Sequence, residues 1–282
     1  MHAHLFPVVR ICQVLEVSPS SYYAWRKRSS SARAQANEAL VVKIRQSHAD
    51  SHQTYGSPRV HAELRMAGER VGHNRVARLM RLAGLRSKRV RSWKSATTDS
   101  RHDKPVAPNR LAQVFQAALP NRTWLSDITY ITTAEGRLYL TAVLDLYSRK
   151  IVGWAMGTEL SAELCESALR MALSVRSPEP GLLHHSDRGV QYASDRYQAL
   201  LTDWQMLPSM SAIGNCYDNA PMESFFGTLK SEWFGSKPFR SRAEARQQIF
   251  VFIESFYNRR RLHSALGYLS PDEFERTHPT GT

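Results

Sequence analysis

From Thr123 onward three β-rich runs follow one another almost without a break: TWLSDITYITT, RLYLTAVLDLYS and KIVGWAMG, parted by the turn-like AEGR and the short SR. Connections this short join antiparallel neighbours, since a parallel return needs a crossover of roughly a dozen residues or more. The pattern then changes to a helix through SAELCESALRMALSV, a short apolar run GLLHHSD, a helix through SDRYQALLTDW and a brief strand around MLPSMS. Successive strands followed by alternating helices and strands give an α/β layered domain.

The residues ahead of these strands are of another kind. At 282 residues the chain exceeds the usual single domain, so two or three units are expected. VVRICQVLEVSPSSYYAWRKR predicts a short helix, a turn and a second helix, with Ser18 as cap and Pro19 at the first helical position. The stretch SSSARAQA leads to a helix through EALVVKIRQSH. PRVHAELRMAG and HNRVARLMRLAGL then form a clearer helix-turn-helix, with Val60 and Leu64 inward on the first helix and Val76, Leu79, Met80 and Ala83 on the second. Gly72 supplies the turn and Gly84 the stop. On the outer face Arg75, Arg78 and Arg81 recur every three residues, a basic stripe suited to a DNA groove or its phosphates. The expected division is 1–57, a helical segment with a partial helix-turn-helix; 58–86, a helix-turn-helix DNA-binding region; 87–120, a basic linker that follows a DNA backbone; and 121–282, the core with C-terminal helices.

The formal net charge of +13 is unevenly placed: residues 1–110 hold 21 Lys and Arg against 7 Asp and Glu, and residues 111–282 hold 17 against 18. A basic block confined to one part of a chain marks a polyanion partner, and nucleic acid fits better than a membrane because no amphipathic Trp/Lys surface helix accompanies it. No apolar run approaches the roughly 20 residues of a membrane span, and the opening MHAHLFPVVR lacks a signal-peptide layout. Cys12, Cys165 and Cys216 are odd in number and far apart, which argues against a disulfide framework and cysteine-based zinc sites. The expected place of work is the cytoplasm, at the nucleoid.

Three carboxylates carry the chemistry. Asp127 lies inside the first strand, Asp187 closes the short fourth strand, and Glu223 opens a helix, PMESFFGTLKSEWF, in which Met222, Phe225, Phe226, Leu229 and Trp233 form the buried stripe. An acid inside an apolar strand is costly unless it is paired or holds a cation. Two carboxylates about 4 Å apart repel by roughly 4 kcal/mol at an effective dielectric near 20, so a cluster of three needs positive charge. Mg2+, with Mn2+ able to substitute, is the natural occupant, and two ions would serve an in-line phosphoryl displacement. Lys230, seven residues after Glu223, lies on the same side of the helix and is a candidate DNA contact.

The segments TWLSDITY, DLYSRKIVGW, HHSDRGVQY, NCYDNAPMESFFGTLKSEW and FYNRRRLHSALGYLSP resemble the integrase-core transposases of bacterial insertion sequences, specifically the downstream-frame product of the insertion-sequence-three family. The 35 residues between Asp187 and Glu223, and the basic residue seven after the Glu, match that family's pattern. The resemblance implies a ribonuclease-H-like integrase core, a mixed five-stranded sheet with flanking helices, behind a small all-α helix-turn-helix region. It implies a catalytic, metal-holding D, D, E triad at Asp127, Asp187 and Glu223, DNA cleavage and strand transfer at element ends and target duplex, a homo-oligomer, and partnership or fusion with an upstream-frame product. No His/Cys zinc module is expected. A DNA-binding regulator with an inactive core and a plain ribonuclease-H-like nuclease are the alternatives.

Other charged residues have structural explanations. Asp145 is expected to pair with Arg149, Asp218 to serve a turn or cap, and Asp195 to start a helix. Of His184 and His185, alternation sends one to the core and the other toward the site or DNA. Arg259, Arg260 and Arg261 read equally as a solvated helix end or a phosphate contact.

Overall fold

The computed structural model describes residues 6–88, 104–212, 216–234 and 237–279. The chain begins with α1 (Val8–Val14) and α2 (Pro19–Lys27), the latter capped by the Ser18 hydroxyl, which accepts from Ser21 N–H at 3.1 Å as expected. Three helices come next, α3 (Ala32–Asp50), α4 (Ser57–Met66) and α5 (His73–Leu82), packed against one another. α3 starts earlier than its apolar pattern suggests, because the Ser31 hydroxyl accepts from Ala34 N–H and so recruits the Ser/Ala stretch into the helix.

The sheet contains β1 (Thr123–Thr133), β2 (Gly136–Asp145), β3 (Ile151–Gly157), β4 (Leu183–Ser186) and β5 (Leu207–Met210), in the spatial order β3-β2-β1-β4-β5. β1, β2 and β3 pair antiparallel, and β4 and β5 add parallel to β1. The parallel additions are reached through α6 (Ala162–Arg176) and α7 (Asp195–Asp203), the crossovers that such strands require. The mixed five-stranded sheet is the expected one.

Strand alternation divides the interior in two. Trp124, Ile128, Val143 and Val152 face α6 and α7. At Gly153 the approach of α6 is so close that a Cβ would stand 2.2 Å from the Ala168 carbonyl oxygen. Leu125, Ile131, Leu138, Leu140, Ala142 and Leu144 face the other way, toward α8 (Ala220–Thr228) and α9 (Arg242–Phe250). α10 (Pro271–Thr277) closes the chain. The helix expected through PMESFFGTLKSEWF does not run on regularly: α8 gives way at Leu229–Trp233 to a π-helical turn, and α9 does the same at Val251–Tyr257. Widened turns keep an apolar stripe nearly intact, so side-chain periodicity does not reveal them.

Two features join what composition divides. Leu40, Ile44, Tyr55, Val60, Leu64, Val76, Leu79 and Met80 of the α3–α5 region belong to the same buried cluster as the α8 face of the sheet. The Tyr55 hydroxyl donates to Arg260 O at 3.1 Å and accepts from Leu262 N–H at 2.8 Å, while Arg59 Nε donates to Leu262 O at 2.9 Å. The stretch 104–120, expected to belong to the linker, is packed rather than trailing: Leu111 is buried and Arg110 N–H donates to the Ser209 hydroxyl on β5 at 2.9 Å. The apolar residues of this stretch, Val106, Leu111, Val114, Phe115 and Leu119 among them, follow neither a helical nor a strand period, so its packing could not be read from the pattern. The linker's residues 89–103 lie outside the described residues. Among the described residues no helix is long and apolar enough to cross a membrane.

Candidate active site

β1 and β4 run parallel, and their last paired residues are Leu125 and His185. Two residues further on in each strand direction come Asp127 and Asp187, so the register sets the two carboxylates side by side on the Leu125 face, where the strands begin to part. Across β1 on its other side Asp127 faces Ala142, a small neighbour. Asp127 is partly buried and its Oδ1 accepts from Ile128 N–H at 2.7 Å. Asp187 is also partly buried, and its Oδ1 accepts from Gly189 N–H at 2.9 Å. Gly189 leaves room there: a Cβ would stand 3.0 Å from both that oxygen and Gln191 Oε1, so either side chain would have to shift.

Glu223 comes from the helix above this face. α8 buries Met222, Phe225 and Phe226 against the sheet, which leaves Glu223 exposed on its flank in the first turn. The entry to α8 is tied to β1 by Asn219, whose Nδ2 donates to Ser126 O at 3.2 Å, next to Asp127. Lys230, in the π-helical turn, donates from Nζ to the Thr129 hydroxyl at 2.6 Å and lies 5.4 Å from the Tyr130 ring centroid.

The electrostatics are set by this placement. Burial raises the Asp127 pKa well above the usual aspartate value, and the charges of Asp187 and Glu223 raise it further, against the Ile128 N–H and the Lys230 charge. Burial lowers the Lys230 pKa, while Asp127 acts to restore it. Like charges at one place fit a divalent cation in chemistry, the donors being hard carboxylate oxygens. Among the described residues, however, no three His, Cys, Asp or Glu side chains converge closely enough to make a ready cation cage. The two aspartates are strand neighbours; Glu223 acts on Asp127 from the flank of α8.

The remaining charged residues divide between buried partners and open surface. Asp145 does not pair with Arg149; its carboxylate accepts from Asn121 N–H at 2.8 Å and Tyr147 N–H at 3.0 Å, while Arg149, at φ 61°, donates to Phe115 O at 2.9 Å. Asp218 sits in a 3-10 turn, Cys216–Asn219, accepts from Ala212 N–H as a turn residue does, and also accepts from Asn109 and Gln113, tying the 104–120 stretch to the sheet edge. Asp195 opens α7 behind the Ser194 cap. Neither histidine reaches the site. His184 lies between the Ser126 and Tyr197 hydroxyls, and His185 between those of Ser209 and Ser211. Arg261 is buried and forks onto Glu232 at 3.0 Å, whereas Arg259 and Arg260 are exposed. Of the α5 stripe, Arg78 and Arg81 are exposed, and Arg75 donates to Asn37 Oδ1 at 3.0 Å. Thr129, Gly189 and Asn219 were not read from the sequence; only Gly189, in DRGV, carries a visible signal, that of a turn.

Comparison with known proteins agrees with this architecture. Residues 117–216 and 205–271 match models described as integrase core domain, and residues 35–93 match one described as HTH-like domain. The chain is 46% identical over 268 residues to the insertion element IS600 uncharacterized 31 kDa protein of Shigella sonnei, covering 95% of this chain and 98% of that one. It is 42% identical over 276 residues to the transposase InsF for insertion sequence IS3A of Escherichia coli strain K12, covering 97% and 96%. In fold it is similar to a chain of the simian T-cell lymphotropic virus intasome, solved in complex with PP2A regulatory subunit B56 gamma, at TM-score 0.50 and 14% identity over 85% of this chain and 76% of that one.

Proposed function

The chain belongs to the transposases of IS3-type insertion sequences, and on that footing we propose that it is a DDE polynucleotidyl transferase whose Asp127, Asp187 and Glu223 hold Mg2+ against a DNA phosphodiester. The observation that supports this best is the company of Asp127: a carboxylate beside a second one across a parallel strand pair, under the charge of a third, with Lys230 close by. Mg2+, for which Mn2+ can substitute, supplies the charge that activates the attacking oxygen and stabilises the departing one, optimally as two ions.

The chain's own residues prepare the site. The Ile128 and Gly189 N–H groups each hold one carboxylate oxygen, fixing Asp127 and Asp187 before substrate arrives. α8 brings Glu223 to the flank, and Lys230 offsets part of the negative charge from the sheet side. Arg78 and Arg81 on α5 face solvent, where a DNA duplex takes the stripe. Cutting at an element end frees a 3′ hydroxyl, which attacks a phosphodiester of the target; one P–O bond forms as another breaks, and no covalent enzyme intermediate is needed. We read the working form as a homo-oligomer on DNA, alone or joined to an upstream-frame product.

Incubation with element-end DNA and Mg2+, and then denaturing gels for nicks and joined strands, tests the proposal. Nicks with strand joining are expected. Binding without nicking would leave the regulator reading, and nicking without joining the nuclease reading.

A further inference from the structure

Between the helical region and the core lies a groove of about 810 Å³. One wall comes from the residues around α4 and from Ser87 and Lys88; the other is a single face of α8 and its π-helical extension, formed by Ser224, Gly227, Thr228 and Ser231. That face begins one residue after Glu223, on the same helix that carries this carboxylate. Its charge is positive: Arg59 and Arg261 share one carboxylate, that of Glu232, at 3.5 and 3.0 Å, and Lys88 is exposed with no acidic partner among the described residues. Hydroxyl groups make up much of the remaining lining, and Tyr268 is its one aromatic side chain. A surface of cations and hydroxyls with a single aromatic ring suits phosphates and sugars rather than a run of stacked bases.

We propose that this groove seats the sugar-phosphate backbone of a DNA strand as it passes between the α4 region and α8, the helix that carries Glu223. The proposal rests on the DNA-cutting reading and adds where the strand runs. Because only the backbone is touched, the seat is indifferent to sequence. Gly227 keeps the path open, since a Cβ there meets nothing within 4 Å.

Gly227→Glu and Gly227→Lys place side chains of similar reach and helix propensity, but opposite charge, into the same space. Affinity for a duplex oligonucleotide of arbitrary sequence is measured by fluorescence anisotropy over a salt series, with circular dichroism to show that each variant is folded. Gly227→Glu should weaken binding by about tenfold while Gly227→Lys keeps or tightens it, and Lys88→Ala should flatten the slope of log K against log salt by about 0.9. Equal affinities for the Glu and Lys variants, whether both unchanged or both weakened, would overturn the proposal. Strand joining by the unsubstituted protein is measured alongside: equal affinities with joining intact remove the groove alone, and a charge-dependent groove with joining absent removes the transferase reading alone.

Discussion

Burial and two neighbouring carboxylates all oppose the negative charge of Asp127 and raise its pKa. A bound cation would offset that charge, so the side chains should matter for cutting far more than for DNA contact. Asp127→Asn and Glu223→Gln are therefore expected to lower Mg2+-dependent nicking by about a thousandfold or more while leaving DNA affinity nearly unchanged. Substantial residual nicking by either variant would withdraw the role given to that residue. The buried histidines set a second expectation. Burial depresses the pKa of His184 from 6.5 to about 3 and that of His185 from 6.5 to about 4. Both are neutral when folded and charged when unfolded over that window, so the stability they contribute is whole above pH 6.5 and lost as pH falls toward 4. Asp145, raised by burial from 3.8 to about 6, works in the opposite sense, favouring the fold as pH drops. At roughly 1.4 kcal/mol per pH unit between folded and unfolded values, the two histidines together outweigh it. Between pH 6.5 and 4 in urea unfolding, His184→Phe should lose less stability than the unsubstituted protein. Equal losses in the two proteins would contradict the assignment. Asp127 was legible because an acid interrupts an apolar strand, and Asp187 because it ends one. Glu223 was placed by the apolar stripe of its helix, which leaves it on the flank, and its spacing from Asp187 matched the family pattern.

At the scale of elements, the sheet was readable because strand alternation and short turns leave little choice of pairing. The approach of layers was not, since it depends on which small residue meets which backbone. Gly153 reads as an unremarkable break in KIVGWAMG, yet α6 lies so close that a Cβ would be 2.7 Å from Ala172 N and 2.2 Å from Ala168 O. Those atoms belong to helix backbone and can move only with the helix. Gly153→Ala should accordingly cost about 1–3 kcal/mol in chemical denaturation, the usual range for overpacking, instead of the gain that Gly→Ala gives in an open position. An unchanged or raised midpoint would mean that α6 shifts freely on the sheet. The π-helical turn at Leu229–Trp233 escaped for a related reason. One extra residue in a helical turn re-aims the side chains beyond it while preserving an apolar face, and here it accompanies the contact of Lys230 with Thr129.

For the whole molecule, charge and packing divide the chain differently. All of the excess positive charge falls in residues 1–110, yet α3–α5 share a buried cluster with the sheet, and Tyr55 is hydrogen-bonded at both its donor and acceptor sides to backbone near Arg261. Removing residues 1–110 would strip the basic surface and part of the core together, so lost DNA binding in such a truncation could come from either. Single substitutions separate the two. Tyr55→Phe leaves charge untouched but deprives the buried Leu262 N–H of its acceptor, which should cost about 1–3 kcal/mol in unfolding free energy and leave the salt dependence of DNA binding as it was. Arg78→Ala with Arg81→Ala removes two exposed cations, and should leave the unfolding midpoint nearly unchanged while reducing the slope of log K against log salt by about 1.8, two phosphate contacts' worth. If Tyr55→Phe alters the slope as much as the arginine pair does, the helical region reaches DNA only through its attachment to the core, and α5 is not the surface that DNA meets.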